Sequence, residues 1–269
     1  MKRFRQLAPV FGAAGALLAT IPAAPGAQRV ELFQQTVTRT LGYTALISIP
    51  AGYEDRNAEA WPTLVFLHGS GERGSDPVQV TRHGPPMLVR GTSPAAEESE
   101  EARTRRKRAT ALLKQNFIVV SPQCPDGRRW EDDSIVALID EVVAKYRVDE
   151  RRLYLTGLSL GGFGTWSLGI KQPGRFAAIA LVCGGGQLLD VLLAAKEKSA
   201  ALQSLGVWAF HGALDAGVPL EESERMIAAL RKVGVADLKL TVSPKARHNS
   251  WTETYSNPDL YEWLLAHRR

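Results

Sequence analysis

The stretch Leu153-Tyr-Leu-Thr-Gly157-Leu158-Ser159-Leu160-Gly161-Gly162 limits the fold more than any other part of the chain. An apolar run that reads as a buried strand passes directly into Gly-x-Ser-x-Gly, and a helical pattern continues to Lys171. So sharp a strand-to-helix reversal forces strained backbone at its central residue, and glycines on both sides remove side chains that would collide. The turn lifts the serine hydroxyl above the sheet and aims the first amides of the helix at any negative charge developing beside it. The bare pattern arises by chance in many chains; the strand–turn–helix context gives it meaning.

The rest of the sequence supplies a sheet for that strand. Residues 63–67, 117–120, 153–156, 179–182 and 207–210 are short runs rich in Val, Leu and Ile that end in Gly, Ser or Pro, and 238–242 is a further candidate. Such runs do not alternate polar and apolar residues, which is the pattern of parallel strands buried on both faces. Residues 30–39 and 43–49 do alternate, around Leu41-Gly42, and read as an antiparallel hairpin. Between the runs lie helical patterns at 134–146, 162–171, 220–233 and 258–266. In the first, Ile135, Leu138, Ile139, Val142 and Val143 make one apolar face. Strands alternating with helices predict an α/β fold: a mostly parallel, eight-stranded sheet covered on both faces. No internal repeat is present.

A serine hydroxyl needs a neighbouring base to act as a nucleophile. Where the serine sits on such a turn, its partners follow in the order acid, then histidine. Of the five histidines, only His248 and His267 come late enough. His267 lies at a C-terminus expected to fray, whereas His248 lies in a loop after the last strand. His83 falls in a Pro-Gly loop, and His68 and His211 each end a strand before Gly, which suits loop-shaping roles. The acid must orient the imidazole and stabilise its charged form. Asp215, in the loop after 207–210, stands at the sheet edge where Ser159 should emerge; Asp190 and Glu222 are the competitors.

An oxyanion would need a second donor from the loop after the first parallel strand. There the sequence reads His68-Gly69-Ser70-Gly71-Glu72-Arg73-Gly74, and its glycines allow backbone to approach a substrate closely. The backbone amides of Ser70 and Leu160 are the expected donors. Glu72 and Arg73 either pair with each other or face solvent; the sequence does not choose. Trp130 and Trp251 fall in loops near the expected site, where each could stack on a substrate ring or serve as packing. Trp166 and Trp208 belong in the core.

The N-terminus has the layout of a secretory signal peptide. Lys2, Arg3 and Arg5 precede an apolar run from Leu7 to Ile21, and Ala24-Pro25-Gly26 follows. Residues 1–27 are therefore expected to be removed, leaving a catalytic domain over 28–269 in a secreted or periplasmic protein. The run is short for a bilayer span and is broken by Gly12, Gly15 and Pro22, so no stable membrane insertion is expected. The whole chain carries +5; loss of the three N-terminal positive charges leaves +2. The one dense basic run, 103–108, sits beside Glu97, Glu98, Glu100 and Glu101. Neutralised by its own neighbours, it is no nucleic-acid patch. Residues 94–108 read as a charged surface insert, helical if Glu and Arg support each other one turn apart. Cys124 and Cys183 show no metal-ligand spacing, and either a disulfide or two buried thiols would fit.

Four segments together carry a resemblance: His-Gly-Ser-Gly-Glu-Arg-Gly, Gly-Leu-Ser-Leu-Gly-Gly-Phe-Gly-Thr-Trp, His-Gly-Ala-Leu-Asp with Val-Pro, and His-Asn-Ser-Trp-Thr-Glu-Thr-Tyr. The chain resembles the secreted esterase and "predicted peptidase" branch of the α/β-hydrolases, which is related to dienelactone hydrolases, carboxylesterase/phospholipases, polyhydroxybutyrate-depolymerase-like and feruloyl-type esterases. The resemblance covers most of the chain after residue 30. It implies nucleophile, acid and base at Ser159, Asp215 and His248, and a loop bordering the active site from Ser-Pro-Gln-Cys-Pro to Trp130. It also implies acyl transfer with no metal or organic cofactor. Residues 184–206 are too few for a lid domain, so an open cleft for a small or polymer-linked ester is expected. Peptide hydrolysis on the same residues is the alternative, and a non-catalytic binding module would require a broken triad position, of which the sequence has none.

Overall fold

The structure is a computed structural model that describes residues 34–36, 38–91 and 99–269. The unit Thr40–Arg269 holds one sheet. In chain order its strands are β1 (Ala45–Ser48), β2 (Trp61–Leu67), β3 (Ile118–Pro122), β4 (Val148–Leu158), β5 (Ala178–Val182), β6 (Gly206–Gly212) and β7 (Leu238–Ser243). The helices are α1 (Gly84–Arg90), α2 (Glu100–Asn116), α3 (Asp132–Lys145), α4 (Leu160–Lys171), α5 (Leu188–Glu197), α6 (Ser199–Ser204), α7 (Glu221–Lys232), α8 (Trp251–Tyr255) and α9 (Pro258–Ala266).

Each of the five unalternating runs, and the further candidate 238–242, is a strand. Side by side they lie in the order β1-β3-β2-β4-β5-β6-β7, all parallel except β1, which runs antiparallel to β3. Among the described residues the sheet thus has seven strands, where eight were expected. The difference lies in the first arm of the proposed hairpin: half of 30–39 falls outside the described residues, the described half forms no strand, and β1 pairs through Ala45–Pro122 with β3.

Successive residues of a strand face opposite sides, so the buried strands β2 to β6 feed two cores, while β7 packs only Leu238 and Leu240 against one of them. Val65, Leu67, Leu155, Ile179 and Leu181 pack on one side with residues of α3, α4, α5 and α7. Leu64, Phe66, Tyr154, Ala180 and Val182 pack on the other with residues of α1, α2, α8 and α9. Trp166 is fully buried, as expected of it. Each large side chain removed from water in this way contributes about 1.5–3 kcal/mol.

Between β5 and β6 stand only α5 and α6, so no separate lid domain covers the sheet edge. Helix α5 buries Val191 and Ala194 but leaves Leu188, Leu189, Leu192 and Leu193 exposed. The charged run after residue 99 forms the first turns of α2, where Arg103 pairs with Glu100 and Arg108 reaches Glu262 of α9. The C-terminus is docked and not frayed: His267 Nε2 lies 2.7 Å from Asp237 Oδ2, and the Arg269 amide donates to Arg151 O at 3.0 Å. Both cysteines are free and buried, so the disulfide alternative does not hold.

Candidate active site

Because β2, β4, β6 and β7 run parallel, the loops after them gather at one edge of the sheet, where α/β sheets bind ligands. Ser159 follows β4, Asp215 follows β6, His248 follows β7, and residues 68–74 follow β2.

Ser159 has φ 50° and ψ −116°, which few non-glycine residues adopt. Such strain costs about 1–3 kcal/mol and persists only where surrounding contacts impose it. Here the Ser159 amide donates to Val182 O at 2.9 Å, and its carbonyl accepts from the Phe163 amide at 3.0 Å. The reversal also needs close backbone approach, since a Cβ on Gly157 would stand 2.3 Å from the carbonyl oxygen of Gly161.

The three residues picked from the sequence meet. Ser159 Oγ lies 2.9 Å from His248 Nε2, and His248 Nδ1 lies 2.7 Å from Asp215 Oδ2. An ionised carboxylate only accepts, so Nδ1 carries the proton and the lone pair of Nε2 faces the serine hydroxyl. Burial pushes the Asp215 carboxyl upward, but hydrogen bonds from His248 and from the Val218 and Gly217 amides outweigh it and hold the group below the usual carboxylate range. Asp215 Oδ1 takes those amides at 2.9 and 2.8 Å. Buried His211 shapes the same loop: Nε2 donates to Val218 O at 2.9 Å and lies 3.4 Å from Asp215 Oδ2. The competing acids are engaged elsewhere, Glu222 with Arg225 and Asp190 3.9 Å from Lys171.

Cys183, Asp215 and His248 present ligand atoms within 4.8 Å of one another. Asp215 and His248 are already bonded to each other, and burial pushes the Cys183 thiol up to about 12. A cation there would have to displace two protons and break the Asp215–His248 bond.

Leu160 begins α4 and Ser70 begins a three-residue 3-10 turn, Ser70–Glu72. Amides at a first helical position have no acceptor within the helix, so both are available to a ligand. The two tryptophans part company. Trp251 is half-buried, edge-on to His248 with ring centroids 5.4 Å apart. Trp130 is buried instead of lining a loop surface: its Nε1 donates to His68 O at 3.1 Å and its ring packs against Tyr43 and His68. Burial and a satisfied N–H give it the packing role.

A family model described as Esterase PHB depolymerase matches residues 124–203, which include Ser159. One described as Prolyl oligopeptidase family matches residues 194–267, which include Asp215 and His248. A thermostable esterase of known structure is 26% identical, with a TM-score of 0.64, over 84% of this chain and 59% of that one. This chain has the α/β-hydrolase fold. The fold recurs in a ferulic acid esterase (18% identity, TM-score 0.58, 84% of this chain and 97% of that one). It recurs again in Staphylococcus aureus fluorophosphonate-binding serine hydrolase F (14% identity, TM-score 0.57, 83% and 92%). The chain spans less than two thirds of the thermostable esterase's length. No curated protein matches its sequence.

Sequence reasoning missed the placement of Glu72. It neither pairs with Arg73 nor faces solvent: it is 5% exposed, and its Oε2 accepts from the Gly69 amide at 3.0 Å. Arg73 instead donates through Nε to Ser70 O at 3.0 Å and through Nη1 to Arg128 O at 3.2 Å. The spacing Gly-x-x-Glu, an acid three residues after the start of a turn, was the available signal.

Proposed function

We propose that this chain is an exported serine esterase that hydrolyses carboxylic esters through an acyl-enzyme. Ser159 Oγ attacks the ester carbonyl carbon while its proton passes to His248 Nε2, and Asp215 holds the imidazole and stabilises its positive charge. The amides of Ser70 and Leu160 carry the oxyanion. Collapse breaks the bond to the alcohol oxygen, which takes the proton from Nε2. Water then gives a proton to His248 and attacks the acyl carbon. The second collapse returns the proton to Ser159 and frees the acid. Ester and water alone balance the cycle.

The observation that carries this reading is the continuous relay of 2.9 Å from Ser159 to His248 and 2.7 Å from His248 to Asp215, with the serine held on a strained turn. The short α5–α6 connection in place of a lid domain favours bulky or polymer-linked esters reaching the sheet edge. The test is turnover of a short-chain activated ester by wild type and Ser159→Ala, with fluorophosphonate labelling mapped to the peptide that holds Ser159. Unchanged turnover by the purified variant refutes the assignment.

Peptide hydrolysis is the second reading, favoured by the Prolyl oligopeptidase family match over 194–267. An ester panel run against a peptide panel separates the two. Export rests on residues 1–27, which lie outside the described residues. N-terminal sequencing of the protein recovered outside the cytoplasm tests it, and an intact Met1 there counts against cleavage.

A further inference from the structure

The turn after β2 is held by its carbonyls. His68 O accepts from Trp130 Nε1 at 3.1 Å, and Gly69 O from His68 Nδ1 at 2.7 Å. Ser70 O accepts from Arg73 Nε at 3.0 Å, Gly71 O from Arg82 Nη1 at 3.4 Å, and Glu72 O from Gln123 Nε2. Five successive carbonyls are thereby tied to side chains. A peptide's N–H and C=O point in opposite directions, so fixing the carbonyls fixes where the amides aim.

The amides are treated unequally. Gly69 N–H is taken by the Glu72 carboxylate and Gly74 N–H by Cys124 O, at 3.0 Å each. That leaves the amides at the start of the 3-10 turn, led by Ser70, for a ligand. A buried carboxylate close to a developing oxyanion is electrostatically unfavourable, since like charges repel strongly where water is excluded. Its presence must be offset by geometry. Glu72 has the geometry. Oε2 holds the entry to the turn, while Oε1 lies 3.6 Å from His83 Nε2. The His83 ring stands 5.5 Å from that of Trp251, which in turn packs edge-on to His248. One side chain thus braces the oxyanion turn against the wall that supports the base.

We propose that Glu72 is a positioning residue that locks the 69–74 turn, so that the Ser70 amide stands where the oxyanion forms. The inference rests on reading the site as an esterase with its oxyanion on Ser70 and Leu160. It predicts that the amide stays useful only while something accepts the Gly69 N–H. Glu72→Ala lowers kcat by about 10- to 100-fold with KM little changed, because the misplaced donor is felt in the transition state. Glu72→Gln keeps an acceptor oxygen without the charge and recovers kcat to within about threefold of wild type. Glu72→Asp, one methylene short of the Gly69 amide, behaves like the alanine variant and serves if that variant fails to fold.

The experiment measures kcat and KM on a short-chain activated ester, the rate of fluorophosphonate labelling, and amide hydrogen exchange across residues 68–74. Parallel losses of kcat and labelling rate, with faster exchange in that segment and rescue by Gln, are the expected result. Full kcat in Glu72→Ala, a loss in KM alone, or a Gln variant as impaired as Ala overturns the proposal. Exchange keeps the two readings apart. If wild type neither cleaves esters nor takes the label, the esterase reading falls; unaltered exchange in Glu72→Ala overturns the positioning role by itself.

Discussion

Gly161 packs against the end of β2 so closely that a Cβ placed on it would stand 1.9 Å from the carbonyl oxygen of Leu67. The second glycine of the turn is therefore a contact between the helix that follows the serine and the strand that leads to residues 68–74. Gly161→Ala must push β2 and α4 apart, at a cost of about 1–3 kcal/mol or more for overpacking. We expect a lowered melting temperature together with loss of ester turnover. A variant that melts like wild type would show that the approach is not required.

In the proposed mechanism Asp215 acts through His248. Asp215→Asn presents an amide to Nδ1, favours the wrong imidazole tautomer, and is expected to lower kcat by about 10⁴-fold while the fold survives. Steady-state kinetics with a circular dichroism control check this. A loss below about tenfold would remove Asp215 from the relay.

His68 should make the protein acid-sensitive. Its Nδ1 must donate to Gly69 O and its Nε2 must accept from the Cys124 amide, 3.0 Å away, so the ring is neutral. Burial lowers its pKa from 6.5 to about 4, against the hydrogen bond to Gly69 and helped by Arg73. The unfolded chain therefore binds more protons between those values. The resulting stability is complete above the unfolded value and is lost as pH falls toward the folded one, on the order of 3 kcal/mol in all. Thermal melts through this window should fall with pH in wild type. A flat profile would contradict the neutral, doubly bonded ring.

The cysteines should be inert. Burial pushes Cys124 up to about 11 and Cys183 to about 12, so both are thiols at neutral pH, and the thiolate is the reactive form. A thiol reagent should find neither in the native protein and both after denaturation. Rapid labelling of native protein would mean that the sheet edge opens.

Strands β2 to β6 and the strained turn at Ser159 were legible because each depends on local chemistry, while Asp215 and His248 were picked by chain order. A strand buried on both faces must be apolar throughout, and a serine on a tight reversal must be flanked by glycine. What was not legible depends on where distant segments meet. Trp130 occupies a loop in sequence, yet the bond from its indole to His68 O, 62 residues away, draws it into the core. His267 looked like a loose end until Asp237 and Trp263 gave both ring nitrogens a partner. Glu72 and Arg73 are adjacent opposite charges, and only the fold reveals that each prefers backbone to the other. Helix α5 was hidden for another reason: Leu-Leu-Asp-Val-Leu-Leu lacks a one-faced apolar period, since only Val191 among these residues is buried.

That same helix offers a route to handling the protein. Leu189 and Leu192 are 63% and 62% exposed, so replacing them with glutamine or glutamate removes greasy surface without emptying any packed space. Such a doubly altered chain should stay dispersed at concentrations where the parent begins to stick to itself, which makes it the form to prepare for solution spectroscopy.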